Sequence, residues 1–379
     1  MGRPAGAGRL PRAGLRSRPV GQRPAGRPHR RRLRRDRAAV RGRGPDPGHR
    51  AERLPELVVS GVELRARVGW LLGALAVDLL LGEPPARWHP VVWLGRATTW
   101  FERQARFGRP AAELGWGLLA TASVVAGAGA IGWLAERALA RCPWPLRLVA
   151  GAWLLKTLLS VRALAEAAGW VEAALAAGDL PAARRGLTWL VSRDTSALDE
   201  PRLAAAAIES VAENLSDSLV GPAVAFGLFG LPGVAIYRAA NTLDAMIGYR
   251  GRYEWFGKPA ARLDDALNLA PSRLTALLIV LAAPLAGADP AAAAAGARRD
   301  GPATASPNAG WPMAAMAGAL GVELEKRGHY VLGRGQRLPA APDIGRAGRL
   351  LWTVVGLIGA AASVLGLIGR RRLAWSQRC

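Results

Sequence analysis

The sequence predicts an all-α fold, a polytopic integral membrane protein of about four to six spans with amphipathic helices and polar loops between them. Three observations predict it. Hydrophobic residues make up 51% of the 379 although 51 Lys and Arg and 28 Asp and Glu are present, so apolar and charged residues must be segregated along the chain. Leucine, alanine, valine and glycine gather in blocks at about 68–81, 114–135, 146–161, 218–236, 273–288 and 350–369, of which the second and last approach the roughly 20 residues that span hydrocarbon. No apolar/polar alternation runs long enough to build a sheet, and no internal repeat appears.

Residues 1–56 stand apart from this pattern. They carry 17 arginines against four acidic residues and almost nothing apolar to offset the entropy of ordering. The arm is expected to be disordered, an upstream extension of a reading frame whose working part starts between Leu57 and Val68, with 57–379 forming one membrane-embedded domain. Without interleaved aromatics it is not expected to read nucleic acid specifically. It is not a secretory signal, because the arginines run on and no small-residue cleavage site follows a short apolar core. Two cysteines, Cys142 and Cys379, exclude a disulfide framework and a CxxC metal site. Arg370, Arg371 and Arg372, directly after the last apolar block, predict a cytoplasmic C-terminus.

GAGAIG at 127–132 fits the dinucleotide pattern but lies inside an apolar block rather than after a strand, and GWLLG at 69–73 is of the same kind; both predict close helix packing. No P-loop is present. Residues 161–217 read as amphipathic helix broken at GDLP (178–181) and again at SRDTSALDEPR (192–202), where Asp199 or Ser196 before Pro201 marks a helix start. Residues 289–349 read as mixed loop and helix.

Polar residues gather against the apolar blocks at several places. In IESVAENLSDS (208–218), Glu209, Glu213 and Asp217 are spaced i, i+4, i+8, so a helix lines three carboxylates along one stripe. Their mutual repulsion calls for a compensating cation, and magnesium favours such oxygen ligands. SRDTSALDE (192–200) brings Arg193 and Asp194 into a turn. In NTLDAMIGYR (241–250), Asn241 and Asp244 share a helical face with Arg238 and Arg250 at its ends, arginines suited to phosphate or carboxylate. FGKPAARLDD adds Lys258, Arg262, Asp264 and Asp265, and His89 is fixed between Trp88 and Pro90 as a hydrogen-bonding packer or a base. SPNAGWPMAAMAGALG (306–321) reads as a polar turn entering a helix, where Asn308 and free helix-start amides meet an anion.

Five segments in order carry a resemblance: DLLLGEPPARWHPVVWLGR (78–96), LVSRDTSALDE (190–200), AIESVAENLSDSLVGP (207–222), YRAANTLDAMIGYRGRYEWFGKPAARLDDALNLAPSRLTA (237–276) and SPNAGWPMAAMAGALGV (306–322). Together they resemble the adenosylcobinamide-phosphate synthases, the CbiB/CobD family of cobalamin biosynthesis, over essentially all of 68–369 and none of the arginine arm. The resemblance implies a multi-pass protein of the cell membrane, in contact with lipid and with other membrane enzymes of the pathway. It also implies an ATP-dependent ligase that joins adenosylcobyric acid to aminopropanol or its phosphate. Such a ligase activates a carboxylate as an acyl phosphate, with magnesium and basic side chains shielding the phosphates. The implied roles are magnesium on Glu209, Glu213 and Asp217, and phosphate on Arg193, Arg238, Arg250 and Lys258, with Asn308 as a further binding group. Asp194 or Asp244 takes the proton of the amine, and Asn241 belongs to the same catalytic group. Alternative readings are a magnesium-dependent membrane phosphotransferase and a corrinoid or metal transporter. If 273–288 crosses the membrane fully, 237–272 and 306–322 face opposite sides. That block is therefore either re-entrant, or the motifs meet in a polar cavity.

Overall fold

The structure is a computed structural model and describes residues 61–376; the expectation for the arginine arm falls outside them. Twelve α-helices are present among the described residues: α1 (Gly61–Leu81), α2 (Pro90–Gln104), α3 (Pro110–Ala140), α4 (Trp144–Lys156), α5 (Arg162–Ala176), α6 (Leu180–Leu187), α7 (Glu200–Leu215), α8 (Gly221–Ile247), α9 (Lys258–Ala282), α10 (Pro290–Asp300), α11 (Gly310–Leu320) and α12 (Ala341–Ser376). The fold is all-α and polytopic, as expected. Four stretches are long and apolar enough to cross a membrane: Pro110–Ala140, Glu200–Ile247, Lys258–Ala282 and Ala341–Ile368. They leave large apolar side chains such as Leu118, Ile131, Leu228, Leu281 and Leu367 exposed, as surfaces facing hydrocarbon do.

The 48-residue stretch Glu200–Ile247 is two arms rather than one rod. Gly230 adopts φ 69°, ψ −155°, a region essentially closed to other residues, and breaks α8 ahead of Pro232. Beyond it the chain folds back on itself: Gly233 packs against Ala225 and Phe229, and Gly221 packs against Tyr237. The two segments, 221–229 and 231–247, are therefore antiparallel neighbours. Glu136 of α3 caps the second arm by accepting from the Leu231 amide at 3.1 Å. The pair of arms is continued upward by a π-helical turn, Ser216–Val220, between α7 and α8.

Small residues let the remaining helices approach closely. Gly129 and Gly132 of α3 lie against Ile236 and Leu231 of the second arm, and Gly69 and Gly73 of α1 against Leu148 and Ala152 of α4. Both glycine motifs thus serve close helix packing. Gly366 of α12 lies near Val68 and Gly359 near Leu72, so α12 runs antiparallel to α1. Its N-terminal part is buried through Ile344, Ala347, Leu350, Leu351 and Val354, in one core with α5 and α7.

Asp199 caps α7 by accepting from the Arg202 amide at 3.2 Å, with Pro201 in the first turn, as the sequence predicts. One element departs from the reading of 289–349. Leu324–Lys326 (β1) and Tyr330–Leu332 (β2) pair antiparallel as a hairpin. Three residues per strand are too few to show a period of two, so the sequence carries no legible sign of it.

Candidate functional site

At the end of the two arms away from Gly230, two cavities of about 370 and 500 Å³ share a wall formed by Glu213, Asp217, Asp244, Gly248 and Tyr249. The first is completed by Lys258, Arg262, Asp264 and Asp265 of α9, by Arg250, and by the 305–309 turn. The second is completed by Arg193, Glu209, Lys326 and Tyr330, so the short hairpin closes one side of it.

The helical hairpin explains how residues distant in sequence come to share that wall. With the fold at Gly230, position 217 stands opposite 241, and Asn241 Nδ2 donates to Asp217 Oδ2 at 3.2 Å. Asp244 lies one turn further on, level with Glu213. The second half of α9 does not separate the motifs either. Asn308 Nδ2 donates to the Asp265 carbonyl at 2.7 Å, and Arg273 Nη1 donates to Asn308 Oδ1 at 2.8 Å. Segments 237–272 and 306–309 therefore line one polar cavity.

Glu213, Asp217, Asp244, Asn308, Arg250 and Lys258 all meet the first cavity, and Arg193, Glu209 and Asn241 meet the second. Arg250 is exposed at its cavity, whereas Lys258 lies 4.1 Å from the Trp255 ring centre and 3.8 Å from Glu254. Three expectations change. Asp194 lies outside both cavities in a surface turn, where its carboxylate accepts from the Ser196 amide and hydroxyl; those bonds hold its pKa below the usual value. Of the two bases the sequence left open, only Asp244 faces the cavities. Arg238 is buried and lines neither cavity: its guanidinium donates to the Asp217 carbonyl at 3.2 Å and to Asn241 Oδ1 at 3.4 Å, bracing the π-helical turn. The amides before α11 are not free, because Ser306 Oγ accepts from Asn308 and Ala309, and Thr304 Oγ1 accepts from Gly310.

The three-carboxylate stripe is also divided. Glu209 accepts from Arg193 Nη2 at 3.0 Å with its side chain 6% exposed, while Asp217 sits on the π-helical turn, which displaces it from the register of a plain α-helix. Among the described residues no group of three or more His, Cys, Asp or Glu is arranged to hold a metal ion. The first cavity nonetheless fits a hard cation. Its donors are carboxylate and hydroxyl oxygens, and Asp264 Oδ1 and Ser216 Oγ are buried without a hydrogen-bond partner. This donor set suits magnesium held by one or two carboxylates and completed by water and phosphate, not a closed protein cage.

Sequence reasoning missed several contributors. Lys326 and Tyr330 sit on the unrecognised hairpin. Burial and the nearby Glu209 and Glu213 raise the Tyr330 pKa, so its hydroxyl stays protonated. Arg273 holds the Asn308 turn and lies 4.8 Å from the Trp311 ring centre. Behind the arms, Lys156 is fully buried between Asp78 and Glu83, 2.9 Å from each. Burial pushes the Glu83 carboxyl up, but hydrogen bonds from His89, Lys156 and Ser160 with the Lys156 charge outweigh it and bring the pKa to about 2. His89 accepts from the Val91 amide through Nδ1, capping α2, and its Nε2 faces Glu83 at 3.1 Å; the packing role fits it. Ser160 ties this network to the π-helical turn through its amide, which donates to the Ser218 carbonyl at 3.4 Å.

Comparison with known proteins bears on this site. The family model described as CobD/Cbib protein matches residues 71–351. The chain is 41% identical to the cobalamin biosynthesis protein CobD of Dehalococcoides mccartyi, over 79% of this chain and 97% of that one. It is 44% identical to the probable cobalamin biosynthesis protein CobD of Thermococcus kodakarensis, over 77% and 93%. With the cobalamin biosynthesis protein CobD of Chromobacterium violaceum it shares 45% identity, over 78% and 96%. No solved structure matches the chain.

Proposed function

Because the chain belongs to the CobD/CbiB family of cobalamin biosynthesis, we propose that its double cavity is the active site of an ATP-dependent amide ligase. The substrates in this reading are adenosylcobyric acid and aminopropanol or its O-phosphate. The observation that carries it is the position of Asp244, shared by a cavity rimmed with Arg250, Lys258 and Arg262 and one bounded by Arg193 and Lys326.

Amide formation needs two steps. An oxygen of the corrinoid carboxylate attacks the terminal phosphorus of ATP, forming an acyl phosphate and releasing ADP. The amine nitrogen then attacks the acyl carbon, the C–O bond to phosphate breaks, and inorganic phosphate leaves. One proton must be taken from the nitrogen, and the Asp244 carboxylate accepts it. Arg250 and Lys258 offset charge on the transferred phosphate. Asp217 and Glu213, with Asp264 and Ser216 beside them, would hold magnesium, which would supply charge neutralisation on phosphate oxygens. Arg193 and Lys326 meet the anionic end of the amine substrate in the second cavity.

Oxygen isotope transfer tests this chemistry. Adenosylcobyric acid labelled with 18O in its free carboxylate is incubated with the purified protein, ATP, magnesium and aminopropanol phosphate. The reading expects one labelled oxygen in the phosphate released. Amide product with unlabelled phosphate contradicts acyl-phosphate activation.

A further inference from the structure

Helix α2 joins the end of α1 to the start of α3 at the site end of the bundle. Its inner face is fixed: the Trp116 indole donates to the Phe101 carbonyl at 2.9 Å, and the Tyr253 hydroxyl donates to Glu102 at 2.6 Å. Its outer face is not covered by other described residues. Trp93, Arg96, Trp100 and Arg103 recur at helical spacing and are exposed, with Trp93 and Trp100 showing 49% and 56% of their surface. Arg96 and Arg103 form no ion pair or hydrogen bond among the described residues. Alternating tryptophan and arginine on a helix that leads directly into the first of the apolar crossings is the composition of an interfacial helix, with rings at headgroup level and cations on lipid phosphate.

Alongside α2 runs an apolar groove of about 380 Å³, lined by Trp93 and Leu94 of α2, Val124 and Ile131 of α3, Leu154 of α4 and Leu231 of the second arm. Along α3 its lining extends from Ser123 to Ala135, about 18 Å at 1.5 Å per residue. Its hydroxyl-bearing side chains are Ser123 and Thr157, and the latter already donates to the Leu154 carbonyl at 2.7 Å. Trp93 and Ile131, which line it, are also exposed on the outer surface, so the groove opens toward the hydrocarbon.

We propose that this groove and the outer stripe of α2 form one binding site for an anionic phospholipid of the surrounding bilayer. An acyl chain occupies the groove, and Arg96 and Arg103 hold the headgroup phosphate. The groove selects a long apolar chain, and the two unpaired guanidinium groups select negative charge over a zwitterion. The site is independent of the ligase reading, since none of its residues lines the polar cavities.

The protein is reconstituted in nanodiscs of equal phosphatidylglycerol and phosphatidylcholine, released, and weighed by native mass spectrometry to identify retained lipid. Two variants divide the site. Arg96→Gln/Arg103→Gln removes the charges on an exposed face, and Gly127→Leu fills the groove at a position where an added Cβ meets nothing within 4 Å. The wild type is expected to retain phosphatidylglycerol preferentially. The double variant should lose roughly twenty-fivefold of that preference, about fivefold per arginine, and Gly127→Leu should lose the retained lipid whatever its headgroup. Equal retention of both lipids by the wild type, or wild-type retention of phosphatidylglycerol by the double variant, overturns the proposal. So does wild-type retention by a folded Gly127→Leu.

Discussion

Asn241 Nδ2 donates to Asp217 Oδ2 across 3.2 Å, joining the π-helical turn of one arm to the facing arm at the wall between the two cavities. The same Asn241 accepts from Arg238, so one side chain sets the position of a site carboxylate and of the arginine that braces its backbone. Replacing Asn241 with Leu leaves both partners short of a bond. The expected cost is about 1.5–3 kcal/mol, read by thermal unfolding in lipid, with turnover falling alongside it. Asn241→Gln, which keeps the amide, should recover part of both. Unchanged stability in the Leu variant would mean that the arms are held together elsewhere.

Glu209 and Glu213 lie on one stripe but in different surroundings. Glu209 is paired with Arg193, so Glu209→Gln strands a guanidinium and should lower stability by about 1–3 kcal/mol. The Glu213 carboxylate accepts no hydrogen bond among the described residues and faces both cavities, so Glu213→Gln should leave stability unchanged or raised. Its turnover at limiting magnesium should fall by at least about tenfold, recovering in part as magnesium rises. Turnover and thermal unfolding measured on both variants decide it: wild-type turnover in Glu213→Gln makes the stripe a solvated face.

Gly230 carries the turn between the arms. Alanine there must adopt φ 69°, ψ −155°, and its Cβ meets the Glu136 carboxylate. Gly230→Ala should cost about 1–3 kcal/mol in thermal unfolding. The loss should be global, because displacing the turn shifts both arms and the wall they build. A variant as stable as the wild type would show that the chain does not fold back at this residue.

Glu83 gives the network around Lys156 a pH signature. Its pKa of about 2 lies below the ordinary 4.5, so the native state holds its charge more strongly than the unfolded chain does. The resulting stabilisation is complete above pH 4.5 and is lost as the pH falls through about 2. The difference in melting temperature between wild type and Glu83→Gln should therefore be largest above pH 4.5 and shrink toward pH 2. A difference that stays constant across that window would assign the loss to packing instead.

Much of this architecture is legible in the chain. Apolar blocks give the helices, Asp199 before Glu200 and Pro201 gives the start of α7, and the five ordered motifs give the family and most of the site. What the sequence hides is three-dimensional coupling. Nothing local in Arg238 distinguishes a buried brace from a phosphate ligand, and nothing in Asp194 shows that Ser196 already occupies it. Period counting treats Glu209, Glu213 and Asp217 as one stripe because it assumes an unbroken α-helix, which the turn at Ser216–Val220 is not. Lys326 and Tyr330 escape because a three-residue strand has no period. Topology shows the same limit. Arg370–Arg372 predict a cytoplasmic C-terminus, yet α12 descends beside the start of α1, away from the site. The short connection from α1 to α3 carries Arg87, Arg96, Arg103, Arg106 and Arg109 at the site end, a second basic cluster that the sequence alone does not assign to either end.

The account turns on the shared wall being where the amide forms, and one assay reaches it most directly. Wild type and Asp244→Asn, at equal amounts of folded protein in lipid, are given adenosylcobyric acid, aminopropanol phosphate, ATP and magnesium. The corrinoid is then weighed by mass spectrometry. The wild type should convert the acid to the amide, and Asp244→Asn, which keeps the shape of the side chain but cannot accept the proton, should be slower by about 10²–10⁴-fold. An unchanged corrinoid in the wild type, or equal conversion by Asp244→Asn, would contradict it.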